Sequence, residues 1–193
     1  MGGSNGRGIN KAGSTSSAPK ANVTIKGTPS ISMDEINKIV SDVGVEGDIV
    51  INFTNKFSMS AGGSAYLDGG QYVPIGGGLY ADRGGIPTVL INDTYNLKTA
   101  EKGRQKNVLA HELTHLKQYS SGRLEKIYRV KKVRGKNKLE FDSINWEGKK
   151  YISASDYSSI KSMGSLSKAG LGKYKSLPWE AEAYSAGDKY GEI

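Results

Sequence analysis

The chain has 193 residues, no cysteine, and 27 lysines and arginines against 19 acidic residues, for a formal charge of +8. Its length suits one domain, and the missing thiols exclude disulfides and thiolate metal sites. Hydrophobic residues make up only 36% of it, diluted by 26 glycines, and no stretch approaches the ~20 apolar residues of a membrane helix.

Residues 1–26 are rich in Gly and Ser without apolar periodicity, which predicts a flexible or extended tail ahead of a domain over 27–193. The tail has no apolar run of a secretory signal, and Gly6 breaks the myristoylation pattern. Ser32-Met-Asp-Glu35 is a capping box, and Ile36, Ile39 and Val40 follow at helical spacing, so a helix is expected over 33–43. Asp48–Thr54 alternates as a strand does. Residues 61–85 place Tyr66, Tyr72, Val73 and Tyr80 among glycines, which suggests a loose hairpin or meander. Ile86–Asn92 reads as a strand, and Pro87 pushes it toward a sheet edge.

The next helix carries the chemistry. Thr99 suits its start, Glu101 its first turn and Gly122 its end, with Leu109, Leu113 and Leu116 as an apolar stripe. His111-Glu-Leu-Thr-His115 contains both histidines of the chain. Residues four apart lie one helical turn apart on one face, so the two imidazoles can bind one Zn2+ ion. Glu112 between them can take a proton from water acidified by that zinc.

Leu124–Val133 and Lys138–Ile152 read as one β-hairpin or two, with Asn145–Gly148 as a turn and Trp146 as a core anchor. The basic run Arg129–Lys138 alternates with Val130 and Val133. This favours a strand and turn with a solvated face over a polyanion-binding patch, and no nucleic-acid motif accompanies it. Residues 153–177 carry a short helix from Asp156 to Met163. A closing helix runs from Pro178 to about Lys189. No internal repeat or second domain is visible.

A catalytic zinc usually takes three protein ligands. Without a third histidine or any cysteine, the remaining ligand is a carboxylate. Leu177-Pro-Trp-Glu-Ala-Glu-Ala-Tyr184 supplies Glu180 and Glu182. These point about 200° apart on a helix, so one of them can face the metal. Glu180 is favoured, Glu182 is the alternative, and Asp156 and Asp188 stand outside any motif.

Ala110-His-Glu-Leu-Thr-His-Leu-Lys-Gln118 with Pro178-Trp-Glu-Ala-Glu-Ala-Tyr184 resembles the small gluzincin-type zincin metallopeptidases of bacteria and phages, over about a tenth of the chain. The resemblance implies a compact α+β domain with a small mixed sheet, an active-site helix, and a C-terminal helix bearing the third ligand. It implies a zinc endopeptidase with His111, His115 and Glu180 as ligands and Glu112 as base. It further implies an edge strand before the metal helix that pairs with an extended peptide or protein substrate. The gluzincin second helix carries ExxxD, whereas Tyr184 stands four residues after Glu180 here. A tyrosine hydroxyl is expected to stabilise the oxyanion, with Tyr184, Tyr174 and Tyr190 as candidates. The other readings are a structural or virion-associated protein that keeps a zinc site, docked on a larger assembly through its tail, and a metallopeptidase toxin domain. The expected placement is cytoplasmic or virion-associated, or reached by export without a signal peptide.

Overall fold

The computed structural model describes residues 21–54, 62–92 and 99–191. The first 20 residues, including most of the tail proposed as a docking segment, lie outside the described residues. So do the side chains of Thr99 and Glu101.

The described chain is α+β, with two small sheets and five helices. The first sheet holds β1 (Asn22–Lys26), β2 (Asp48–Thr54), β6 (Ile86–Asn92) and β3 (Gly63–Asp68), in the order β1-β2-β6-β3. β1, β2 and β6 run parallel, and β3 is antiparallel to β6. The parallel step from β1 to β2 needs a crossover, which α1 (Met33–Val43) supplies. Its start is set by the Ser32–Glu35 capping box and its end by Gly44 at φ 73°. β2 alternates as expected, burying Ile49, Ile51 and Phe53.

The second sheet is antiparallel, in the order β4 (Gln71–Gly76), β5 (Leu79–Arg83), β7 (Leu124–Val133), β8 (Lys136–Trp146), β9 (Lys149–Ser153). Three of its turns place consecutive residues at positive φ, Gly77-Gly78, Arg134-Gly135 and Glu147-Gly148, as two-residue hairpins require. Three helices follow: α3 (Ala154–Leu166), α4 (Lys168–Lys175) and α5 (Pro178–Asp188).

Several expectations are corrected here. Asn22–Lys26 is not tail but strand β1, and its Val23 and Ile25 pack on the core. Residues 61–85 do not form one meander. β3 joins the first sheet, while β4 and β5 form a hairpin that crosses to the second. The small mixed sheet is therefore accompanied by a second sheet. Pro87 does not make β6 an edge strand, because β6 lies between β2 and β3. Pairing with β2 begins at Thr88, so Pro87 faces a neighbour only across β3. The edges of this sheet are β1 and β3.

α2 (Thr99–Ser120) crosses the molecule and ties the two halves together. Leu109, Leu113 and Leu116 are fully buried, together with α1 and the first sheet. Gly122, at φ 70°, ends it by donating to Tyr119 O. A second cluster gathers Leu124, Ile144, Leu177 and Trp179, with Trp146 packed against it. Beyond Arg129, the β7–β8 hairpin is exposed and basic, with Arg129 paired to Asp142 and Lys131 to Glu140. No helix among the described residues is long and apolar enough to cross a membrane.

Candidate metal centre

α2 and α5 are packed face to face, and this packing brings three donor atoms together. Gly187 permits the close approach, since a Cβ there would lie 2.6 Å from Asn107 Oδ1. Pro178 opens α5 and places Glu180 in its first turn, where a carboxylate also suits the helix dipole. His111 Nε2 and His115 Nε2 are 3.1 Å apart. Glu180 Oε2 is 3.6 Å from the first and 3.4 Å from the second. Three ligand atoms each about 2.0–2.1 Å from a tetrahedral zinc would be about 3.4 Å from one another. The three measured edges bracket that value.

Unsatisfied atoms favour the same reading. Glu180 is only 3% exposed, and its Oε2 has no hydrogen-bond partner. Its other oxygen accepts a 2.6 Å hydrogen bond from Tyr174 OH, which fixes the carboxylate's rotation. A buried carboxylate oxygen aimed at two imidazole nitrogens is costly unless a cation completes it. The residues present therefore fit a zinc ion.

Gln118 orients His115. His115 Nδ1 donates to Gln118 Oε1 at 2.9 Å, and Gln118 Nε2 donates to Trp179 O at 3.0 Å. The proton thus sits on Nδ1 and the Nε2 lone pair is free for metal. One amide fixes both the tautomer and the seating of α5 beside α2. Tyr184, four residues after Glu180, packs its ring against the His111 ring, with centroids 4.6 Å apart. His111 Nδ1 is left buried without a partner.

The electrostatics divide the two histidines. Burial, then the neighbouring His115, push the His111 pKa down to about 4, so it is neutral and ready to coordinate. His115 is equally buried, but Glu180, then Glu112 and Gln118, outweigh the burial and raise its pKa. Burial opposes the ionised form of Glu180, yet His115, Tyr174 and His111 together hold its pKa below the ordinary value. Glu112 is 8% exposed, and burial pushes its pKa up to about 7. Its carboxylate also accepts a hydrogen bond from the Ala65 backbone on β3.

The structure thus brings His111, His115 and Glu180 into one cluster, with Glu112 on the next position of the same helix. Glu182 points elsewhere and pairs with Arg123 at 3.0 Å. Asp188 lies near Asn107, and Asp156 sits in the first turn of α3, where the capping Ser153 hydroxyl accepts from its backbone N–H and donates to its carboxylate. Of the three tyrosines, Tyr184 and Tyr174 line the cleft, and Tyr190 instead donates to Asp42 of α1. The roles of Gln118 and Tyr174 were missed from the sequence. For Gln118 the signal was its i+3 spacing from His115, but Tyr174 carried none.

The cleft over these residues has a volume of about 440 Å³. Ser64 and Ala65 of β3 form one side of it, and Tyr157, Trp179 and Ile144 line it further. No protein-family model matches the chain, and neither a curated protein nor a solved structure does.

Proposed function

We propose that this protein is a zinc-dependent endopeptidase with a zincin-like arrangement of its α+β fold. The convergence of His111 Nε2, His115 Nε2 and Glu180 Oε2 beside a buried Glu112 carries the reading. Further support comes from β3, an antiparallel edge strand whose free side borders the cleft. An extended substrate can add to that edge through main-chain hydrogen bonds, which recognise backbone and orient a scissile bond toward the cluster.

Bound zinc would supply a Lewis acid that polarises the scissile carbonyl and acidifies a water molecule. Glu112 accepts the proton of that water as it attacks. It then donates the proton to the departing nitrogen. Burial raises the Glu112 pKa in the metal-free site, and a bound cation would oppose that rise and favour the ionised base. We assign oxyanion stabilisation to Tyr184. Its ring is held between His111 and the Lys175 ammonium, 4.2 Å from the ring centroid. The other two tyrosine hydroxyls are engaged, Tyr174 with Glu180 and Tyr190 with Asp42.

The test is metal analysis of the purified chain together with cleavage of an unstructured protein, with and without chelator. Stoichiometric zinc and chelator-sensitive cleavage are expected. A zinc-loaded protein that cleaves nothing would leave the metal a structural role.

A further inference from the structure

The cleft holds positive charge that the chemistry above does not use. Lys126 of β7 and Lys161 of α3 both line it. Among the described residues, neither forms an ion pair. The Lys126 ammonium rests instead on the ring of Tyr119, 5.2 Å from its centroid. A ring face attracts a cation but does not neutralise it. Burial drives the Lys126 pKa down, Asp82 opposes this, and Lys161 adds to it.

The site's own carboxylates do not balance these lysines once the metal is bound. Glu180 is committed to Tyr174 and the histidines, and Glu112 to the Ala65 backbone. A divalent ion offsets those two negative charges, and Asp82, which forms no ion pair with Lys126, is the acid left acting on it. Lys126 is half-buried and Lys161 exposed, so an incoming anion would offset the cost of holding the Lys126 charge and add the attraction of a second ammonium.

We propose that Lys126 and Lys161 form a subsite for an acidic side chain, so that the preferred substrate is a peptide with aspartate or glutamate next to the scissile bond. This rests on the peptidase reading. The carboxylate would be fixed by charge-assisted hydrogen bonds from the lysines while the peptide backbone lies along β3.

The experiment is cleavage of a proteome-derived peptide library by the zinc-loaded full chain. Asp and Glu should be enriched at one position flanking the cut. A selected peptide is then compared with its Glu→Gln counterpart. The ratio of their kcat/KM values should fall roughly tenfold or more in Lys126→Met and in Lys161→Glu, as expected for losing a hydrogen bond to a charged group. A partial folding defect lowers both peptides together and does not move the ratio. Cleavage without acidic enrichment, or an unchanged ratio in both variants, overturns the subsite and leaves the peptidase reading intact. A wild-type protein that cleaves no peptide overturns the peptidase reading and the subsite with it.

Discussion

The Glu112 carboxylate is held in the fold at a cost. It is buried beneath β3, with the Ala65 backbone and His115 on the favourable side and Glu180 on the unfavourable one. Its pKa rises from 4.5 to about 7, so the folded protein prefers the neutral acid. The sign follows from linkage: this group's contribution is fully present below about pH 4.5 and is lost as pH rises through about 7. In chelator at pH 8.5, Glu112→Gln should be more stable than wild type by on the order of 3 kcal/mol, and at about pH 4 the two should nearly coincide. Thermal melts at both pH values check this. Equal stability at both would mean that Glu112 is better solvated than its burial indicates. His111, Glu112 and His115 could be read from the sequence because one helix fixes their spacing. Glu180 could be read from its place after Pro178. Gln118 and Tyr174 could not, because their roles depend on where Trp179 and Glu180 arrive from α5.

At the scale of elements, β3 and α2 meet across two glycines. A Cβ on Gly63 would lie 2.7 Å from Glu112 Cγ, 2.9 Å from Leu90 O and 2.9 Å from Val108 Cγ1. The Leu90 oxygen is backbone and cannot swing aside, so Gly63→Ala has to move β3 or α2. The expected result is a stability loss of about 1–3 kcal/mol, as for overpacking elsewhere. A drop in kcat/KM should accompany it, since the Ala65–Glu112 hydrogen bond sits at the same contact. Unchanged melting temperature and activity would show that the two elements are not rigidly apposed. This close approach was hidden in a glycine-rich stretch that reads as loose. The amphipathic α1 and the alternating β2 were legible because each has one buried face. The division of 61–85 between two sheets was not, because it is decided by long-range partners, β6 for β3 and β7 for β5. α4 was hidden too, since Gly170 and Gly172 break any apolar period. Gly170 is needed where a Cβ would strike the Met163 carbonyl.

At the scale of the molecule, the cluster lies on the seam between two cores. α2 contributes Leu109, Leu113 and Leu116 to the first, and Tyr119 and Trp179 belong to the second. The donors of α2 and α5 lie about 65 residues apart in sequence. Under the proposed reading, a zinc held between them would stabilise the fold as well as serve the chemistry. The central claim is that one helix supplies two ligands and a base while the closing helix supplies only a ligand. Its most direct test is zinc content and peptide hydrolysis measured side by side for Glu112→Gln, Glu180→Ala and Glu182→Ala. Glu112→Gln should keep stoichiometric zinc and lose at least about a hundredfold in hydrolysis, the scale of general-base catalysis. Glu180→Ala should lose both, because two histidines alone remain, and Glu182→Ala should lose neither. Zinc stripped by Glu182→Ala but kept by Glu180→Ala, or full hydrolysis in Glu112→Gln, would contradict the account.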